Sequence, residues 1–213
     1  MELMCVLAIV SVMASMSWSS IVGIVSGNRL TNNAYELSGL IQQARTTALT
    51  EHTYVWLGFY SFTQNGAPAL MVTSLAENSG QASILPSTSS LPNSNFQLTS
   101  QSVILKNVSI ASVTNYTSPA LPGLDVADNT DVGSQAYSFP MSVPGTSNAT
   151  FNNVIVFGPD GQTYLPTSTG ALGSNPVLCV GIGLNSSPGT ANHLHTAAVQ
   201  IHGLSGQVSV FQQ

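Results

Sequence analysis

A single carboxylate opens this chain. Glu2 stands at the second position, and no other charge follows until Arg29. Between them run Leu3-Met4-Cys5-Val6-Leu7-Ala8-Ile9-Val10 and then Ser11 to Val25, almost all apolar or small. An acid drawn into such surroundings needs a cation, because an unpaired buried charge is costly. The plainer alternative leaves Glu2 at a membrane surface, in the first turn of a helix, where the macrodipole favours an acid. Two other groups carry donor atoms at suggestive spacing. His193 and His195 alternate, which puts two imidazoles on one face of a strand, and His202 follows. A zinc site needs a third or fourth ligand at defined spacing, and no Cys or acid is near. Asp125, Asp128, Asn129 and Asp131 crowd one segment, and calcium takes clustered oxygens. Short acidic loops are ordinarily solvated, so the expectation is no metal and no cofactor. No serine sits in a nucleophile motif and no glycine-rich phosphate loop follows a strand, which argues against an enzyme.

The element that must position Glu2 is a helix. The uncharged stretch of about 26 residues is roughly 39 Å long as an α-helix. That exceeds the roughly 30 Å of a hydrocarbon core. No small-residue cleavage site follows and the helical pattern continues, so it reads as a retained membrane anchor. Beyond Arg29, Leu30, Ala34, Leu37, Ile41, Ala44 and Ala48 are spaced four, three, four, three, four, which is one apolar stripe. Asn32, Asn33, Glu36, Gln42, Gln43, Arg45 and Thr46 take the other faces. No proline occurs before Pro68. The spacing predicts one helix from about residue 2 to about 51, apolar in its first half and amphipathic in its second. Gly23 and Gly27 form a G-x-x-x-G that allows close helix approach, each glycine costing about 1 kcal/mol against alanine.

The remainder reads as β. Thr53 to Tyr60 is aromatic and β-branched. Asn65-Gly66 is a hairpin signal with Leu70-Met71-Val72-Thr73 as its return. Val103 to Leu105, Val108 to Ile110, Asn153 to Phe157, Gln162 to Leu165, Val177 to Val180, Ala198 to Ile201 and Gln207 to Phe211 read as further strands. Gly158-Pro159-Asp160-Gly161 and Gly203-Leu204-Ser205-Gly206 read as turns. Residues 76 to 95 and 114 to 134 read as surface loops. The expected fold class is α+β: a long N-terminal helix packed on a C-terminal antiparallel sheet or sandwich. The division is a helix over 1–52 and a β domain over 53–213, in which the stripe from Leu30 to Ala48 packs on the β domain.

Composition narrows the function. Charged residues are only 5%, three Lys and Arg against eight Asp and Glu, with 43% hydrophobic residues. Nucleic-acid binding needs a basic patch that this chain lacks. Cys5 lies in the anchor and Cys179 in a C-terminal strand, so no disulfide is expected, and Cys179 reads as a small buried apolar residue. The sequons at Asn107, Asn115, Asn148 and Asn185 follow from a composition rich in Asn, Ser and Thr.

Several segments together resemble a known superfamily. They are Asn28-Arg29-Leu30-Thr31, Tyr35-Glu36-Leu37, Gln42-Gln43-Ala44-Arg45 and Ala48-Leu49, after the opening Glu-Leu-Met-Cys-Val-Leu-Ala-Ile-Val. They resemble the type IV pilin-like proteins, closest to the H-type minor pseudopilin of type II secretion and its FimT-like relatives. Phe157-Gly158-Pro159-Asp160-Gly161 and Ser205-Gly206-Gln207-Val208-Ser209-Val210 resemble that branch's two C-terminal hairpins. Residues 65 to 150 match only in general character.

The resemblance implies a subunit that is cut and N-methylated by a prepilin peptidase, waits in the inner membrane, and enters a periplasmic or extracellular filament. Its implied partners are other copies of itself or other pilins, met through the N-terminal helix, and the assembly machinery. Glu2 matches the family glutamate taken to pair with a neighbour's terminal amine, which supplies the missing cation. The family cleavage motif is not written in these residues, so processing is implied by the resemblance alone. The helix break that many members make with proline falls here on Ser19, Ser20, Gly23 and Gly27. The expectation is therefore a filament subunit with assembly positions Glu2, Gly23 and Gly27. Its alternatives are a low-copy priming or tip pseudopilin and a non-polymerising, membrane-anchored adhesive module. A tether of that last kind would normally carry a flexible linker, and none is seen between Val25 and Thr53.

Overall fold

A computed structural model gives the fold. It describes the backbone of residues 2–80, 86, 91, 94–112, 124, 129–134, 137–143, 146–168, 171–174, 177–184 and 196–212. The side chains of residues 2–9, 12–27, 129, 134 and 146–148 stand outside the described residues.

Helix α1 (Glu2–Glu51) leads into β1 (Val55–Gln64) and β2 (Ala67–Glu77). It ends where His52 turns to a φ of 51° and Thr53 N donates to Ala48 O at 3.2 Å. The Thr53 hydroxyl then donates to the Glu77 carbonyl, which fixes the helix end to the end of β2. Asn65 and Gly66 both have positive φ, 53° and 79°, the geometry of a type I′ hairpin turn. β1 and β2 pair over their whole length, from Val55↔Ala76 to Gln64↔Ala67.

The other strands are β3 (Phe96–Leu98), β4 (Val103–Lys106), β5 (Ser109–Ala111), β6 (Asn129–Asp131), β7 (Phe139–Val143), β8 (Thr146–Phe151) and β9 (Asn153–Phe157). They are followed by β10 (Thr163–Pro166), β11 (Leu172–Ser174), β12 (Val177–Gly183), β13 (Thr196–His202) and β14 (Val208–Gln212). They form three sheets. The first has seven strands in the order β11-β10-β9-β1-β2-β3, with β4 also on β2. The second runs β14-β13-β12-β5, with β6 parallel on β12. The third is the β7-β8 pair.

This corrects the expected α+β class. Among the described residues the structure is mostly β, in several sheets, and the part of α1 whose side chains are described is the short stretch from Asn28 to residue 51, about 24 residues, one element among these layers and not a long helix packed on one sheet. The physical reason lies in β1 and β9, which are buried on both faces. Val55, Leu57, Phe59, Ile155 and Phe157 face one core, together with the helical stripe and Leu178, Val180, Val199 and Ile201 of the second sheet. Trp56, Val154 and Val156 face a second core, closed by Phe139, Met141, Ala149 and Phe151 of the β7-β8 pair. A small third cluster, Ala111, Leu124, Cys179 and Ala198, lies on the far side of the second sheet. Strands covered on both sides need layers above and below, and one helix covers only part of one side.

No helix of the described residues is long and apolar enough to cross a membrane. The expected anchor, with Glu2, Cys5, Gly23 and Gly27, has its side chains outside the described residues, apart from Val10 and Ser11.

Candidate functional site

The described part of α1 divides cleanly by face. Leu30, Ala34, Leu37, Ile41, Ala44 and Ala48 are all buried. They pack in one cluster with residues of both large sheets. The opposite face, with Arg29, Asn32, Tyr35, Glu36, Gly39, Gln42, Gln43 and Thr46, is exposed. Tyr35 is the large ring on that face, at 61% exposure.

Polar ties fix the helix at both ends of this stretch. Near its start, Thr31 Oγ1 donates to Gln212 Oε1 at 2.8 Å and Asn33 Nδ2 donates to the Lys106 carbonyl at 3.1 Å. Near its end, Arg45 Nε donates to the Gly161 carbonyl at 3.3 Å. Gly161 belongs to the β9-β10 turn, where Gly158 N donates to Gln162 O at 2.9 Å and Asp160 Oδ1 accepts from Gln162 N at 3.0 Å. The neighbouring β13-β14 turn is joined to it by Thr163 N donating to Gly203 O at 2.8 Å. A Cβ on Gly206 would lie 2.2 Å from Arg45 Nε, and one on Gly161 would lie 3.0 Å from Leu49 Cδ2. Both glycines have positive φ, 75° at Gly161 and 63° at Gly206. The two turns therefore form a seat for Arg45 and Leu49, made of bare backbone.

Sequence patterning did not reveal two hollows at the ends of the β1-β2 hairpin. One, about 260 Å³, is lined by Gln64, Asn65, Pro68 and Lys106 among others. The other, about 330 Å³, is lined by Glu51, His52, Glu77 and Ser79 among others. Glu77 is 1% exposed, and its Oε1 accepts from Ser79 N at 2.8 Å and Ser79 Oγ at 2.5 Å. A buried acid five residues past Val72 gave no periodic signal of its own.

Of the residues singled out for metal chemistry, only His202 and Asp131 have described side chains. His193, His195, Asp125 and Asp128 lie outside the described residues, as do Asn115 and Asn185. His202 is exposed at the end of β13. Asp131 is buried in β6, with Oδ1 accepting from Gly133 N at 2.8 Å and Oδ2 from Ser112 Oγ at 2.5 Å. Among the described residues no three His, Cys, Asp or Glu side chains are grouped to hold a metal ion. Cys179 is buried beside Asp131, and burial first, then the Asp131 charge, pushes its thiol up to about 12. Tyr137 is pushed up to about 12 by burial and donates to the Pro86 carbonyl at 3.2 Å. In the Asn107 sequon the acceptor motif runs into Ser109, which is buried in β5.

No protein-family model matches this chain, and no characterised protein or solved structure matches it.

Proposed function

We propose that this chain is a structural subunit of a surface filament of the type IV pilus or type II secretion kind, assembling through its N-terminal segment. The observation that carries the reading is the clamp on α1. From Leu30 to Ala48 one stripe is buried on both large sheets, and Arg45 is seated between two turns. A segment attached to that helix is coupled to the β domain without a flexible joint, as a load-bearing polymer requires and a tether does not. The uncharged sequence from Leu3 to Val25, with Glu2 before it, supplies an apolar surface for helix-to-helix packing. In this reading Glu2 pairs with a cation of a neighbouring copy, and Gly23 and Gly27 are close-contact positions. The inner membrane holds the subunit before a prepilin peptidase and assembly machinery act on it, and the β domain is then displayed outside.

Electron microscopy of sheared surface filaments, with mass spectrometry of their subunit, tests this. The expected outcome is filaments composed mainly of this chain. Trace amounts beside another pilin would replace the repeating role with a priming one. Absence from every filament would leave a non-polymerising module.

A further inference from the structure

Charge in this chain is sparse, and the fold sorts it by position. Eight charged side chains are described: Arg29, Glu36, Arg45, Glu51, Glu77, Lys106, Asp131 and Asp160. Lys106 lies beside the tip of the β1-β2 hairpin, because β4 pairs Lys106 with Ala69 and lines the hollow with Asn65 and Gln64. The Asn33 bond to the Lys106 carbonyl brings the helix to the same end, and exposed Arg29 is one turn further on. Glu51 and Glu77 line the hollow at the opposite end of the hairpin. Asp160 is exposed at that end too, in the turn that seats Arg45 and Leu49. Ten-residue β1 separates the two hollows by about 33 Å. One end thus carries two exposed cations, Lys106 and Arg29, with exposed Glu36 one turn along the helix from Asn33. The other carries two exposed carboxylates, Glu51 and Asp160, with Glu77 buried and bonded to Ser79, against the single guanidinium of Arg45, which the Gly161 carbonyl holds.

We propose that these ends are the two halves of one head-to-tail contact between copies of this chain, with the Lys106 end of one copy set on the Glu51 end of the next. The occupant follows from symmetry and charge. A two-fold contact centred on either end would bring Lys106 against Lys106 or Glu51 against Glu51, which is repulsive, and an antiparallel pair that matches the ends would stop at two copies. A head-to-tail contact brings opposite charges together at every junction and repeats without closing, as a linear assembly needs. A separation of about 33 Å exceeds the roughly 10 Å screening length at 0.1 M salt, so the two ends act as separate patches. The inference rests on the filament reading for its place in a polymer, and the contact itself is read out without one.

The test is cross-linking of the full chain in detergent, in a Cys5→Ser background, with Cys179 buried. Thr50→Cys marks the acidic end and Gln64→Cys the basic end, leaving every charge in place. A short bismaleimide should join the two variants when mixed, leave each unjoined alone, and give a ladder beyond dimers from the Thr50→Cys/Gln64→Cys double variant, where dimers alone would overturn the head-to-tail arrangement. Lys106→Glu in the Gln64→Cys chain should lower the product roughly fivefold, and adding Glu51→Lys to the Thr50→Cys chain should restore it. Raising salt should lower it as well. Product from either variant alone would overturn the head-to-tail arrangement in favour of a two-fold one. A Lys106→Glu effect that Glu51→Lys does not rescue would also overturn it. Filaments seen by microscopy without this cross-link would overturn the contact and leave the filament reading standing. The cross-link without filaments would sink the filament reading and uphold the contact, and the loss of both would sink both.

Discussion

Arg45 Nε donates to the carbonyl oxygen of Gly161 at 3.3 Å, and this bond crosses 116 residues of sequence. It ties the helix to the β9-β10 turn, while the β13-β14 turn closes over the same side chain at Gly206. The guanidinium is thus bonded to the backbone of one hairpin and packed against that of another, and the two hairpins are joined through Thr163 and Gly203. The helix, the first sheet and the second sheet all meet here.

Gly206→Ala should therefore destabilise the domain for two reasons. Its φ of 63° suits glycine, and the new Cβ would lie 2.2 Å from Arg45 Nε. A loss of about 1–3 kcal/mol is expected. Arg45→Ala in the same chain should recover part of it, because the clash disappears while the φ cost stays. Thermal unfolding of the single and double variants measures both, and strict additivity would remove Arg45 from the explanation.

Gly58→Ala should disturb the second core. The added methyl would stand 2.7 Å from Phe139 Cζ and 3.1 Å from Phe151 Cβ, and both rings are fully buried. Overpacking of this kind costs typically about 1–3 kcal/mol. Denaturant unfolding should show a lower midpoint with an unchanged slope. By contrast Gly39→Ala meets nothing within 4 Å, and in a helix interior it should gain about 0.5–1 kcal/mol.

The Cys179 thiol gives a pH dependence with a definite sign. Its folded pKa is pushed above the ordinary 9.0 to about 12 by burial and by Asp131. The neutral thiol is the form the fold favours. Its contribution is therefore complete below about pH 9 and declines as pH rises from there towards 12. Cys179→Ala should flatten that part of the stability curve. Iodoacetamide should label Cys179 at pH 8 only after unfolding, and rapid labelling of the native protein would contradict the burial.

For the proposed filament role, Glu2→Ala should leave the unfolding midpoint of the β domain unchanged and reduce polymer in cells lacking the native copy. Gly23→Leu or Gly27→Leu should keep membrane insertion, since apolarity rises, and impair polymerisation by holding helices apart. Wild-type amounts of polymer from these variants, counted by quantitative mass spectrometry of sheared filaments, would remove the N-terminal segment from assembly.

Short-range order was open to reading because its signals are local. The stripe from Leu30 to Ala48 follows from helical period alone, and Asn65-Gly66 announces a type I′ turn because both residues tolerate positive φ. Gly158-Pro159-Asp160-Gly161 marks its turn for a similar reason. Which surfaces those elements cover was not local. A strand buried on both faces reads as a continuous apolar run, so Val55 to Phe59 gave no hint that Trp56 and Leu57 belong to different cores. The division into three sheets, and with it the mostly β class, was settled by pairings such as Val55↔Phe157 and Val177↔Asn129, far apart in sequence. The seat of Arg45 and the opposed charges of Lys106 and Glu51 are likewise tertiary. Periodicity tells a side chain which face of its own element it occupies, and only the packed chain decides what that face meets.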